Sequence, residues 1–146
     1  TLNKFDNEHG FANSRARLRM TTLYQVAAAN KGIVVGTGNK VEDFGVGFYT
    51  KYGDGGVDIS PIADCNKTEV WQLGKELGIL KEIIEAPPTD GLWDDGRTDE
   101  GQLGFKYEDL EDAMKNPGSP HREEYEKIRK QNLHKMDPIP VCKIPS

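Results

Sequence analysis

The chain has 146 residues, about the size of one domain. Leu, Ile, Val and Phe supply 32 of the 146 residues, or 22%, which is just above the ~20% below which a charged chain does not collapse, so a thin core is expected. The net charge of −5 argues against a protein that coats nucleic acid or an anionic membrane. No apolar run approaches a membrane span and Thr1 opens no signal peptide, so we expect a cytoplasmic protein. Cys65 and Cys142 lack the spacing of a disulfide framework or a zinc site.

The first half of the chain predicts a helix followed by a strand. Apolar residues recur at helical spacing from Asn13 until Gly32 ends the pattern, and this core-facing stripe consists of Ala16, Met20, Leu23 and Ala27. The run 32–37, Gly-Ile-Val-Val-Gly-Thr, predicts a short parallel strand buried on both faces. The other candidate runs, 48–50 and 57–59, are short and interrupted by glycines. One helix and one doubly buried strand predict the middle of an α/β sheet whose other strands lie elsewhere.

The second half predicts three more helices. They are expected over 67–77, over 107–115 and from Pro120 onward, the last with Tyr125 and Ile128 as its main apolar contacts. Asn66 and Glu69 form a capping-box pattern before the first of these, and Ser119 is the expected N-cap of the last. Residues 136–146 contain three prolines and predict an extended tail. The sequence shows no internal repeat and no domain boundary.

A glycine-rich segment over 50–58, Thr-Lys-Tyr-Gly-Asp-Gly-Gly-Val-Asp, is the densest candidate for a ligand site. Its glycines allow the backbone to approach a ligand closely, and Lys51 offers a mobile cation. Asp54 and Asp58 are able to accept hydrogen bonds from hydroxyl or amide groups. The same composition is also typical of a surface turn with solvated charges, and that alternative stays open.

A second candidate follows the predicted strand. Residues 36–39, Gly-Thr-Gly-Asn, stand where ligands bind in open α/β sheets, just beyond the carboxyl end of a strand. Glu42 is a candidate ligand for Mg²⁺, which proteins hold through one or two carboxylates together with phosphate oxygens. An ordinary surface carboxylate is the alternative.

Several cations are candidates for anion binding. Arg17 projects on one flank of the first helix, whereas Arg15 and Arg19 share the other, so the three do not form one patch. Lys67 opens a predicted helix, a position that suits an anion. His134 and Lys135 form a further cationic pair. Solvated helix faces and a solvated tail are the alternatives for all of these residues. No spacing indicates a Ser/His/Asp or Cys/His nucleophile.

Taken in order, these segments closely resemble NAD synthetase from about residue 11 to residue 135. The matching stretches are 15–24, 34–39, Glu42, 47–58, Pro61, Asn66-Lys67, Pro88-Thr89, 98–104 and His134-Lys135. The resemblance implies an adenine-nucleotide α-hydrolase-like fold, which is a partial Rossmann-like α/β architecture. It also implies a ligase that adenylates the nicotinate carboxylate of deamido-NAD with ATP and Mg²⁺, releases diphosphate, and lets ammonia displace AMP to give NAD.

The same resemblance implies roles for individual residues. ATP would be bound by Thr37, Lys67 and Thr89, and Mg²⁺ by Glu42. Deamido-NAD, which lies at a homodimer interface in this family, would be held by Arg17, Lys51, Asp58, His134 and Lys135. The resemblance does not decide whether ammonia is supplied directly or from glutamine.

One departure from the family is large. The Ser-Gly-Gly-x-Asp-Ser phosphate loop of the family's N-terminal half is absent from residues 1–146. We therefore expect these residues to be the C-terminal portion of a single synthetase domain and to be inactive alone. A non-catalytic nucleotide-binding or regulatory module is an alternative, as is a related ATP-pyrophosphatase such as GMP synthetase.

Overall fold

A computed structural model describes residues 7–144 as an assembly of helices joined by long connections. The elements in chain order are α1 (Glu8–Ala29), a π-helix (Val41–Val46), α2 (Lys67–Glu76), α3 (Lys81–Ile84), α4 (Asp99–Leu103), α5 (Tyr107–Lys115) and α6 (Arg122–Met136). None of the helices within these residues is long and apolar enough to cross a membrane.

Helix α1 is longer than the apolar pattern predicted. It begins at Glu8 because the side chain of Asn7 accepts a hydrogen bond from the backbone N–H of Gly10 at 2.9 Å, and this cap lies before the first apolar position. Ala16 is buried as predicted, but Leu23 is 55% exposed. The prediction of a core-facing stripe is therefore wrong at Leu23, which borders an open cavity instead.

The predicted strand over 32–37 forms a single parallel bridge, between Val35 and Ile59. The N–H of Gly36 donates to the carbonyl of Ile59 at 2.7 Å. Val34 is buried, whereas Ile33 and Val35 are 59% and 52% exposed. Burial on both faces is therefore wrong for the described part of the chain, where this segment has a neighbour along one edge. A wider α/β sheet stays a prediction.

The core lies where the π-helix, α5 and α6 meet. Its buried members are Val41, Val46, Tyr107, Leu110, Ala113 and Tyr125. Helix α5 has the predicted bounds, because its apolar residues recur on the one face that packs against both neighbours. Helix α2 begins at Lys67 as predicted and ends one residue early, and Glu69 accepts a hydrogen bond from the N–H of Asn66 at 2.6 Å.

The start of α6 differs from the prediction. A turn precedes the helix, which begins at Arg122 rather than Pro120. Ser119 is not its N-cap: that position belongs to His121, and the Ser119 hydroxyl accepts a hydrogen bond of 3.4 Å from the N–H of His121 within the turn. The helix reaches Met136, and residues 137–144 have no regular secondary structure. Residues 145 and 146 of the predicted tail lie outside the described residues.

Glu111 of α5 joins α5 to the start of α2. Its buried carboxylate accepts hydrogen bonds from the N–H of Thr68 at 3.0 Å and from the Thr68 hydroxyl at 2.6 Å. Glu111→Ala leaves both donors without their partner, so we expect it to lower the free energy of unfolding by roughly 1.5–3 kcal/mol. Urea unfolding of the full-length protein measures this, with the exposed Glu108→Ala as the control. Equal losses in the two variants would contradict the prediction.

Candidate functional site

An open cavity of about 450 Å³ lies between α1, the 34–37 segment, the π-helix and the start of α2. Four residues predicted from the sequence for ATP or Mg²⁺ line it: Thr37, Glu42, Lys67 and Thr89. They come from separate parts of the chain, and the fold brings them to the lining of the same cavity. Thr37 and Thr89 are exposed, whereas Glu42 and Lys67 are mostly buried.

Glu42 is held by three different parts of the structure. Its Oε1 accepts a hydrogen bond from the Tyr107 hydroxyl at 2.6 Å and lies 3.3 Å from Nζ of Lys67. The side chain of Asn39, which is buried, accepts hydrogen bonds from the N–H groups of Val41 and Glu42. These contacts fix both the backbone and the carboxylate of Glu42 at the cavity.

The π-helix that carries Glu42 was not predicted from the sequence. Such segments are rare and occur frequently at functional sites. It ends at Val46 and is followed by Gly47, whose φ of +69° favours glycine. A Cβ at Gly47 would lie 2.6 Å from Cβ of Asn132 in α6, so this position also requires the absence of a side chain.

Tyr107 and Asp99 are site residues that the sequence analysis missed. The Tyr107 hydroxyl oxygen lies 3.3 Å from Oδ2 of Asp99, and Oδ1 of Asp99 is buried without a hydrogen-bond partner. Burial, followed by the charge of Glu42, raises the pKa of Asp99. The same two causes hold the pKa of Tyr107 far above its ordinary value, so the phenol keeps its proton. Asp99 belongs to the matched 98–104 stretch, which was the available signal.

Carboxylates elsewhere near the site do not assemble a closed metal cage. No group of three or more His, Cys, Asp or Glu side chains in residues 7–144 has the geometry of a metal site. The carboxylate of Asp43 lies close to the backbone of Gly38. A Cβ at Gly38 would lie 2.3 Å from Oδ1 of Asp43. Burial, with the charges of Glu42 and Asp54, raises the pKa of Asp43 to about 6. Besides Glu42, the acidic side chains that line the cavity are Asp54, Asp90 and Asp99.

A second set of predicted residues meets where α1, the glycine-rich segment and the end of α6 come together. Nε of Arg17 donates to the carbonyl of Lys51 at 3.2 Å, and Nζ of Lys51 donates to the carbonyl of His134. Nζ of Lys135 donates to the carbonyls of Gly47 and Tyr49 at 2.7 and 2.8 Å. Burial lowers the pKa of Lys135. The side chains of Arg17, Lys51 and Lys135 are thus gathered beside the main chain of His134, with Lys135 anchored to the main chain. These four residues are called the cation group.

Asp58 has a different environment from those cations. Its Oδ2 accepts a hydrogen bond from the N–H of Val34 at 2.7 Å, and its Oδ1 accepts one from the Tyr24 hydroxyl at 3.2 Å. The carboxylate therefore ties the 33–37 segment and α1 to the glycine-rich segment. Within residues 7–144, no hydrogen bond joins Asp58 to the cation group.

The other two arginines of α1 lie on the opposite flank, as the helical spacing predicted. Arg15 donates to the carbonyl of Leu92, and Arg19 donates to the carbonyls of Asp90 and Gly91. Both therefore fasten the loop that follows Thr89 and closes one side of the cavity.

Comparison with known proteins decides the family. A family model described as NAD synthase matches residues 2–143. The chain belongs to the NAD synthase family. The NH3-dependent NAD(+) synthetase of Alkaliphilus oremlandii is 44% identical over 135 residues, covering 91% of this chain and 53% of that relative. That of Carboxydothermus hydrogenoformans is 51% identical over 100 residues, covering 68% of this chain and 40% of the relative.

Solved structures of NAD synthase relatives share this fold. The NMN synthetase from Francisella tularensis matches with a TM-score of 0.88 and 32% identity, covering 98% of this chain and 60% of its own. The NH3-dependent NAD synthetase from Campylobacter jejuni, in complex with the nitrate ion, matches with a TM-score of 0.64 and 26% identity over 90% of this chain and 54% of its own. The chain spans about half the length of the curated relatives it matches.

Proposed function

We propose that the full-length protein containing this chain forms NAD from deamido-NAD, ATP and ammonia through an adenylated intermediate, releasing diphosphate and AMP. The observation that carries the proposal is the cavity in which Thr37, Glu42, Lys67 and Thr89 meet. It is supported by the family match over 2–143 and by the names of the NAD(+) synthetase relatives.

The cavity suits the adenylation step. Attack of the nicotinate carboxylate on the α-phosphate of ATP breaks the bond to diphosphate and develops negative charge on phosphate oxygens. Lys67 would stabilise that charge, and Thr37 would donate a hydroxyl hydrogen bond to the nucleotide. The Thr89 hydroxyl donates to the carbonyl of Arg97 at 3.2 Å and would exchange that partner for the nucleotide. Glu42 fits Mg²⁺, because its Oε2 has a single contact, a long one of 3.4 Å from the N–H of Asn39. A bound Mg²⁺ would neutralise phosphate charge.

The cation group suits the dinucleotide. Arg17, Lys51 and His134 would face the phosphates and carboxylate of deamido-NAD, with Asp58 accepting a hydroxyl hydrogen bond from the same ligand. Lys135, whose Nζ donates to the carbonyls of Gly47 and Tyr49, has one N–H left and would bind the ligand through it. The site would lie at a homodimer interface. The chain would be the C-terminal portion of one domain, with the α/β architecture expected of the adenine-nucleotide α-hydrolase-like fold, in a cytoplasmic enzyme without nucleic-acid or membrane partners.

A mononucleotide substrate is a second candidate. The high structural similarity to the protein described as an NMN synthetase favours it, since that name implies amidation of the corresponding nicotinate mononucleotide. The higher identity to the NAD(+) synthetases favours the dinucleotide.

The experiment supplies the full-length protein with ATP, Mg²⁺, ammonium and either deamido-NAD or nicotinate mononucleotide. NAD, AMP and diphosphate in equal amounts are the expected products, and deamido-NAD is the expected better substrate. A parallel reaction with glutamine in place of ammonium tests the nitrogen source. Residues 1–146 alone are expected to be inactive. Amidation of neither compound would contradict the proposal, and preference for the mononucleotide would favour the second candidate.

Lys51→Ala is expected to weaken deamido-NAD binding about 10- to 150-fold, because a charge-assisted hydrogen bond of roughly 1.5–3 kcal/mol is lost. ATP affinity should change little, since Lys51 itself does not line the cavity that contains Lys67 and Thr89. Titration calorimetry with each ligand measures this, with the exposed Lys127→Ala as the control. Unchanged deamido-NAD affinity would leave the segment as a glycine-rich turn.

Asp58→Ala is expected to weaken deamido-NAD binding and also to lower the melting temperature, because the N–H of buried Val34 loses its acceptor. Loss of stability without loss of affinity would restrict Asp58 to its structural contacts.

A further inference from the structure

Tyr107 combines a core aromatic ring with one functional contact. The residue is fully buried, and its ring packs edge to face against Trp71 at a centroid distance of 6.2 Å. Its hydroxyl crosses from the core to the cavity wall and meets Glu42. The core needs only the ring, and a phenylalanine would fill the same space. The hydroxyl therefore requires a separate explanation.

The hydrogen bonds of the Glu42 carboxylate indicate the role of the Tyr107 hydroxyl. A phenol carries one proton, and the short distance of 2.6 Å shows that it is donated to Oε1 of Glu42. Lys67 donates to the same oxygen. Both strong donors therefore occupy Oε1, and Oε2 keeps its capacity for another partner. The carboxylate is thus held by one oxygen, and the other is left for a ligand.

The position of Asp99 explains why Glu42 needs the hydrogen bond from Tyr107. Its Oδ2 also lies 3.3 Å from the phenol oxygen, so two carboxyl groups approach one hydroxyl from different sides. Asp99 is 7% exposed, and its Oδ1 has no hydrogen-bond donor among the described residues, so a negative charge on Asp99 would be only weakly screened from Glu42. Without the hydroxyl, Glu42 would keep Lys67 alone and would be repelled by a carboxylate at Asp99.

We infer that Tyr107 is a positioning residue: its hydroxyl fixes the Glu42 carboxylate with Oε2 available to a divalent cation at the nucleotide cavity. This inference rests on the proposed function, because it takes Glu42 as the cation ligand. Groups that orient a metal ligand from behind change metal affinity by about 10- to 100-fold when they are removed.

The test compares Tyr107→Phe with Tyr125→Phe in the full-length protein. Tyr125 is a buried tyrosine of the same core, but no hydrogen bond joins its hydroxyl to Glu42. The probe is Mn²⁺, titrated by electron paramagnetic resonance in the presence of a non-hydrolysable ATP analogue. Tyr107→Phe is expected to lower Mn²⁺ affinity about 10- to 100-fold. Tyr125→Phe should leave it within about twofold.

Two further measurements separate positioning from packing. In steady-state assays, Tyr107→Phe should raise the Mg²⁺ concentration needed for half-maximal rate, while kcat at saturating Mg²⁺ recovers. Tyr107→4-aminophenylalanine restores an N–H donor at the same place and should restore most of the Mn²⁺ affinity. This second variant also keeps the test decisive if Tyr107→Phe lowers the melting temperature.

The outcomes distinguish the positioning role of Tyr107 from the proposed role of Glu42 as the cation ligand. Unchanged Mn²⁺ affinity in Tyr107→Phe, with a loss in Glu42→Gln, would overturn the positioning role and leave Glu42 as the ligand. Unchanged affinity in both variants would overturn the cation site itself. Equal losses in Tyr107→Phe and Tyr125→Phe, without rescue by the amino variant, would assign the effect to core packing and also overturn the inference.

Discussion

Lys67→Ala is expected to weaken ATP binding about 10- to 150-fold and to slow formation of the adenylated intermediate. Lys67 is the one lysine among the residues that line the described cavity. Its Nζ has Glu42 as its ion-pair partner and lies 4.9 Å from the centre of the Tyr107 ring. A charge-assisted hydrogen bond to a phosphate oxygen contributes roughly 1.5–3 kcal/mol, which sets the size of the expected loss. Titration calorimetry with ATP measures it.

The matched control for this variant is Lys75→Ala. Lys75 lies on the same helix, is exposed, and is absent from the cavity lining. Its replacement should leave ATP affinity unchanged. Deamido-NAD affinity should be preserved in both variants, because the cation group that would bind it is separate from Lys67. Normal ATP binding by Lys67→Ala, with an intact melting temperature, would contradict the assignment of this cavity to ATP.

Glu42→Gln is expected to raise the Mg²⁺ concentration required for half-maximal rate by at least about 10-fold. The amide has nearly the shape of the carboxylate and still accepts a hydrogen bond from Tyr107 through its carbonyl oxygen. It loses the negative charge that a hard cation such as Mg²⁺ prefers. Removal of a ligand is expected to cost no less than removal of a group behind it, for which losses of about 10- to 100-fold are usual. A Mg²⁺ titration of the initial rate checks this result.

Glu76→Gln provides the comparison, because Glu76 is an exposed carboxylate that does not line the cavity. It should behave as the unmodified protein does. Deamido-NAD binding should survive in Glu42→Gln, so that the defect is confined to the metal-dependent step. An unchanged Mg²⁺ requirement and rate would make Glu42 an ordinary partly buried carboxylate.

The helices were predictable because their signals are local. The apolar spacing of α2 and α5 and the capping box of α2 fall within one or two turns, and the predicted starts of both helices agree with the structure. The start of α1 was missed because its cap, Asn7, precedes the apolar stripe. The burial of the predicted strand over 32–37 was overestimated. Consecutive apolar residues indicate a buried strand, but they do not show that neighbouring strands are present in the chain. Ile33 and Val35 are accordingly exposed in the described residues.

The site was predictable only in part, for a related reason. Motifs named Glu42, Lys67 and Thr89, which the fold brings to one cavity. Tyr107 was predicted only as the first residue of a helix, because nothing within α5 reveals that its hydroxyl contacts a carboxylate 65 positions earlier. The hydrogen bond from the N–H of Val34 to Asp58 was hidden in the same way, because the two residues are 24 positions apart. Long-range hydrogen bonds leave no periodic signal in a single sequence.

The most direct test of the account is exchange of labelled diphosphate into ATP, measured with the full-length protein and Mg²⁺ but without ammonia. Reversible adenylation of a bound carboxylate is the step that the cavity of Glu42 and Lys67 is proposed to support. We predict rapid exchange that requires deamido-NAD and is strongly reduced in Lys67→Ala and Glu42→Gln. Exchange that proceeds without deamido-NAD, or that both variants retain at the unmodified rate, would contradict the account.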